Sequence, residues 1–147
     1  MNTAVKKSIR DDVLAGKEEV IALRRHFHQH PEASLKEYQT IRKIKEELSA
    51  LEIPYVEVGD TGVLATIAGG KGDGKTILLR ADIDALELED KTGKAYQSKK
   101  PGLNHACGHD GHAAALLGAA KILKKREADF AGTILLAFQP AEEIGAG

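Results

Sequence analysis

The chain has 147 residues, with 21 Lys and Arg against 22 Asp and Glu, a net charge of −1 and a pI of about 6.6. Hydrophobic residues make up 42% and charged residues 29%, a composition that excludes collagen, disulfide scaffolds and disordered tails and suits one globular domain. No basic block offers a footprint for a phosphate backbone and no apolar run reaches the roughly 18 to 20 residues of a membrane span, so neither nucleic acid nor a membrane is an expected partner. The polar opening Met1 to Lys7 has no apolar stretch behind it, which makes the cytoplasm the expected compartment.

Ile9, Val13, Val20, Leu23 and Phe27 recur at helical steps and predict one long amphipathic helix from about Ser8 to Gln29, ended by Pro31. Ile41, Ile44, Leu48 and Leu51 place a second helix before Pro54. Tyr55 to Val58 and Val63 to Ala68, joined by Gly59-Asp60-Thr61-Gly62, read as a hairpin. Ile77 to Ala81, apolar except for Arg80, reads as a buried central strand. Asp82 to Ala106 lacks periodicity and reads as a long surface loop. An apolar helix over about Gly111 to Lys125 and a strand over Thr133 to Phe138 complete the series. The expected fold class is α/β, a layered sheet with helices on its faces.

Gly69-Gly70-Lys71-Gly72-Asp73-Gly74-Lys75-Thr76 matches a phosphate-binding loop. That loop needs a helix starting at its Lys-Thr, whose free N–H groups hold the phosphates. The residues that follow, Ile77 to Ala81, are strand-like, so the glycines are read as a turn between antiparallel strands.

His105-Ala106-Cys107-Gly108-His109-Asp110-Gly111-His112 puts five metal-capable side chains into eight residues. Thiolate, imidazole and carboxylate are the ligands that zinc and its divalent neighbours prefer. In an extended segment Cys107 and His109 would project to one side, with His112 on the first turn of the next helix. The alternatives are a helix terminus capped by Asp110 with incidental histidines, and a cysteine nucleophile with His109 or His112 as its base. Glu142 and Glu143 follow a strand directly, where adjacent carboxylates pointing apart could serve one as a metal ligand and one as a general base. Asp82 and Asp84 end another strand, and alternation lets at most one of them face the site. Arg80 inside an apolar strand calls for a carboxylate partner. His26, His28 and His30 fan around a helix and are read as cations near its C-terminus.

Arg24 to Glu32 (RRHFHQHPE), Leu79 to Leu86 (LRADIDAL), Asn104 to His112 (NHACGHDGH) and Phe138 to Glu143 (FQPAEE) resemble, in this order, the motifs of the aminoacylase-like dinuclear metallopeptidases. The match is strongest to the amidohydrolase branch that includes hippurate hydrolase, N-acetyl-diaminopimelate deacetylase and the auxin-conjugate hydrolases. The resemblance implies hydrolysis of N-acyl amino acids or related amides at a site holding two divalent ions, with zinc, manganese, cobalt and nickel all open. It implies Cys107, His109 and Glu143 as ligands and Glu142 as the general base, with Asp82 orienting a ligand. In some relatives a histidine ligand stands at the Arg80 position, and Cys107 takes over its coordination here. His112, Asp84 and Arg80 are candidates for supporting roles. The resemblance also implies that residues 1–147 are the N-terminal part of a zinc-peptidase-like catalytic domain. The lid and dimerisation domain and the closing catalytic segment, with further histidines, would then lie outside this chain. A small N-acyl amino acid is the implied partner, a homodimer the implied full-length form, and low activity the expectation for this part alone. A non-catalytic metal- or ligand-binding module of the same fold is the alternative.

Overall fold

The computed structural model describes residues 3–147. Helix α1 (Thr3–Ala15) and helix α2 (Lys17–Gln29) replace the single long helix expected from periodicity. They meet at Gly16, a residue that adds no side-chain contact to hold a continuous rod. Glu18 and Glu19 in the first turn of α2 and His26 and His28 in its last match the helix dipole. α2 stops before Pro31, which disfavours helical backbone in the residue preceding it.

Helix α3 (Tyr38–Ala50) buries Ile41, Ile44 and Leu48, three of the four residues that predicted it. Its first amides are capped from outside: Glu32 Oε2 accepts hydrogen bonds from Gln39 N (2.9 Å), Thr40 N (2.8 Å) and Thr40 Oγ1 (2.9 Å). Strands β1 (Tyr55–Val58) and β2 (Gly62–Ala68) form the expected hairpin, with Val58 opposite Gly62. Strand β3 (Thr76–Asp82), helix α4 (His109–Lys125) and strand β4 (Thr133–Gln139) form a crossover unit, and the sheet order is β1-β2-β4-β3. β4 runs antiparallel to β2 and parallel to β3, so Asp82 and Gln139 end side by side.

β3 is therefore an edge strand rather than the central one. Ile77 and Leu78 are each 55% exposed. An apolar run has the same pattern whether or not a neighbour covers it, and the central position belongs to β4. The glycine loop between β2 and β3 does not make a hairpin either. It wraps the residues before β4, with Gly69 N donating to Gly132 O (2.8 Å) and Lys71 N to Phe130 O (3.0 Å). Lys75-Thr76 opens a strand, so the helix that a phosphate-binding loop requires is missing there.

The core lies between the sheet and the helices. Paired residues Val63 and Phe138, and Ala65 and Leu136, are buried together with Ile67, Ile44, Leu48, Phe27 and the inner face of α4. α2 crosses α4 at Gly118, where a Cβ would stand 2.6 Å from Val20 Cγ2. A side chain there would require Val20 to shift. Among the described residues no helix is long and apolar enough to cross a membrane.

Candidate metal centre

The site forms at the carboxyl ends of β3 and β4, closed by the first turn of α4. His109 begins α4 directly after Gly108, whose φ of 93° lies in the left-handed region. This turn, rather than an extended segment, brings Cys107 and His109 together. His109 is 2% exposed. Its Nδ1 lies 3.0 Å from the Asp84 carbonyl oxygen and 3.2 Å from Asp84 Oδ1. With the Nδ1 proton donated there, Nε2 carries the free lone pair. Nε2 faces Asp82 Oδ2 at 3.4 Å, Glu142 Oε2 at 3.7 Å and Glu143 Oε1 at 3.8 Å.

Both aspartates therefore touch one imidazole, contrary to strand alternation, because the chain leaves the strand after Asp82 and turns. Both glutamates reach it as well. A left-handed Ala141 (φ 54°, ψ 33°) and the 3-10 turn Glu142–Ile144 fold the pair back over His109 instead of letting them point apart. Arg80 is largely exposed, not buried, and it has the expected partners: its Nη2 is 2.8 Å from Asp82 Oδ1, and its Nε donates to Gln139 Oε1.

Two sets of side chains converge so that their ligand atoms all lie within 4.8 Å of one another. One is Cys107, His109 and Glu143; the other is Asp82, His109 and His112. His109 offers one free lone pair, so the two sets compete for it. The first set fits a divalent cation by its chemistry, joining a thiol, an imidazole and a carboxylate. It also holds a buried oxygen, Glu143 Oε1, that has no hydrogen-bond partner. His105 joins neither set. It is buried with both ring nitrogens unpartnered, and burial holds its pKa down to about 4.

The neighbouring Glu143 carboxylate pushes the Cys107 thiol pKa up, and desolvation and the charges of Glu142 and Asp82 push the same way. At Asp84 burial pushes the carboxyl up, but hydrogen bonds from the Glu143 amide (3.0 Å) and the Ser34 hydroxyl (2.7 Å) outweigh it and hold the pKa below its usual value.

Two contributors were not legible in the sequence. Ser34 anchors Asp84, and Glu37 accepts the Ala141 amide at 2.8 Å. Each is a single polar residue in a polar stretch, and neither its composition nor its spacing signals a partner so far along the chain. His28 also departs from its expected incidental role. It is buried, with Nδ1 2.7 Å from Asp110 Oδ2 and Nε2 3.2 Å from Asp90 Oδ2. His26 and His30 share a face as expected, with ring centroids 4.7 Å apart.

Four carboxylates gathered on one imidazole beside a thiol, at the ends of parallel strands, define a metallopeptidase-like centre on an α/β sheet. Residues 78–147 match the model of Peptidase family M20/M25/M40. The chain is 52% identical over 130 residues to an N-acetyl-L-cysteine deacetylase of Bacillus subtilis, covering 88% of this chain and 31% of that protein. It is 43% identical over 129 residues to an IAA-amino acid hydrolase of Arabidopsis thaliana, covering 87% of this chain and 29% of that one. Among solved structures, a dinuclear metal-binding peptidase of the M20 family from Bacillus subtilis superposes with a TM-score of 0.86 at 44% identity, over 90% of this chain and 38% of that one. The chain thus spans about a third of the length of the curated relatives it matches.

Proposed function

We propose that residues 1–147 are the N-terminal part of the catalytic domain of a metal-dependent amidohydrolase that cleaves the amide bond of N-acyl amino acids or related amides. The convergence of Cys107, His109 and Glu143, with an unpartnered Glu143 oxygen at its centre, carries this reading. Relatives named as an N-acetyl-L-cysteine deacetylase and an IAA-amino acid hydrolase support the substrate class.

Cys107, His109 and Glu143 would hold one divalent cation. A second cation, in keeping with the dinuclear relative, would share the same acidic cluster. The bound cation supplies a Lewis acid that makes water a better proton donor near neutral pH. The two glutamates divide the remaining work by exposure. The Glu143 side chain is 19% exposed and faces inward, as a ligand must, whereas that of Glu142 is 40% exposed and open to water and substrate. Glu142 takes a proton from the attacking water and returns it to the leaving amine. Asp84 fixes the His109 tautomer through Nδ1, the usual support for a ligating imidazole. Asp82, tethered by Arg80, holds its other oxygen toward Nε2 and His112. The proposed setting is the cytoplasm, with a small N-acyl amino acid as partner and a homodimer as the full-length form.

The test supplies the missing two thirds. The C-terminal segment of the Bacillus subtilis N-acetyl-L-cysteine deacetylase is joined to this chain, and hydrolysis of N-acetyl-L-amino acids is followed with added zinc or manganese. Metal-dependent turnover is expected, falling by about 10²- to 10⁴-fold in Glu142→Gln. Turnover that survives chelation, or stoichiometric metal binding without turnover, contradicts the reading.

A further inference from the structure

We infer that Glu37 is a positioning residue for the Glu142–Glu143 turn: its buried carboxylate, by accepting the Ala141 amide, holds the left-handed backbone that delivers Glu143 to Cys107 and His109. The inference rests on the metal reading above and adds a residue that lies outside the converging sets.

Glu37 precedes α3 and is fully buried. A polar residue at that position ordinarily turns back to cap its own helix. Here Glu32 already takes the amides of Gln39 and Thr40, and Glu37 makes no side-chain bond to α3. Its Oε1 instead reaches across 104 residues of sequence to Ala141 N. The other oxygen, Oε2, is buried without a partner. A burial this costly in polar free energy is hard to explain by packing, for which an apolar side chain would serve better.

The bond falls where the backbone needs it. Ala141 is buried at φ 54°, a region that residues with a Cβ rarely occupy and hold only when their surroundings enforce it. The chain turns there, and Glu142 and Glu143 follow at once. Asp84 Oδ2 accepts the Glu143 amide, so two buried carboxylates grip alternate amides of one turn. Asp84 ties the turn to His109, and Glu37 ties it to the start of α3. If Ala141 relaxed to right-handed backbone, the chain beyond Pro140 would leave on a different course and Glu143 with it.

Cobalt(II) titration of the 147-residue chain tests this optically, because a thiolate ligand gives a near-ultraviolet charge-transfer band while the visible bands follow the whole ligand set. Wild type is expected to show both, and Cys107→Ser to lose the first. A wild type without a thiolate band overturns the metal reading itself, before any Glu37 variant is made. Glu143→Ala gives the visible spectrum of a site lacking that carboxylate. Glu37→Ala is expected to keep the thiolate band, take on the Glu143→Ala visible spectrum and bind cobalt roughly 10- to 100-fold more weakly, the scale for losing a group that orients a ligand. Glu37→Gln, whose amide oxygen can accept the same N–H, is expected to restore the wild-type spectrum. Ala141→Gly placed in the Glu37→Ala chain is expected to recover part of the affinity, since glycine adopts positive φ without enforcement. A Glu37→Ala chain with wild-type affinity and visible spectrum overturns the inference, as does a loss that Ala141→Gly leaves untouched. Should circular dichroism show Glu37→Ala unfolded, a folded Glu37→Gln chain with the Glu143→Ala spectrum would overturn it.

Discussion

His28 and His109 are both buried imidazoles flanked by carboxylates, yet their surroundings balance differently. His28 sits between Asp90 and Asp110, and Arg24 adds a cation 2.8 Å from Asp110 Oδ2. The Tyr96 ring lies edge-on to His28 and carries Arg24 and Arg25 over its face. In that cluster two buried carboxylates face one guanidinium and one imidazole of the same chain. His109 faces Asp82, Asp84, Glu142 and Glu143, with Arg80 bonded to Asp82 and one Glu143 oxygen unpartnered. This second cluster carries an excess of negative charge beside a thiol. The first cluster sets its two acids against a guanidinium and an imidazole, whereas the second gathers four acids around one imidazole, the arrangement proposed above to take a cation.

The comparison can be broken most forcefully at His28. His28→Ala leaves two buried aspartates short of a partner, and a loss of about 3–5 kcal/mol is expected in urea unfolding, the usual result of breaking a buried pair from one side. Next in size is the response to metal. Zinc at 100 times its dissociation constant is expected to stabilise the chain by about 2.7 kcal/mol, an effect reversed by chelator and missing from Cys107→Ser in thermal melts. Smaller and opposite in sign is Glu143→Gln. Removing one of four crowded charges is expected to raise metal-free stability by about 0.5–2 kcal/mol, in the range of other function-relieving substitutions, while most of the metal-induced gain disappears. Asp110→Asn, at the balanced cluster, is expected to lower stability instead.

The smallest effect is expected in acid. Burial pushes the Asp90 carboxyl up, but the amides of Ser98 and Thr92, the Thr92 hydroxyl and the His28 charge outweigh it and hold the pKa at about 2. A carboxyl depressed by folding stabilises the fold above its unfolded value of 3.8, and that contribution is lost as pH falls toward 2. Unfolding free energy in Asp90→Asn should therefore slope less steeply between about pH 4 and pH 2 than in wild type.

Much of this was legible in the sequence where a repeating pattern or a dense motif carried it. The α3 stripe, the β1–β2 hairpin and the apolar α4 all stand where periodicity put them, because each is set by side chains near one another in sequence. The gathering of Cys107, His109, His112, Glu142, Glu143 and Asp82 followed from motif and strand ends. Strand order was not legible: Ile77 and Leu78 look like core until β4 is seen to take the central place. Nor were the directions of paired acids, since Asp84 and Glu143 lie just beyond strand ends, where alternation no longer applies. Ser34 and Glu37 gave no signal because each acts through a single partner 50 and 104 residues away, and His28 was read as incidental because its partners Asp90 and Asp110 lie far along the chain.

Gly118 extends the same logic to the middle of α4. It lies nine residues beyond His109, about 13 Å along a helix that rises 1.5 Å per residue. Val20 presses on it from α2, while Arg24 and His28, further along α2, grip Asp110 beside His109. An added carbon there would meet the Val20 methyl, on the same helix that carries the grip of Arg24 and His28 on Asp110.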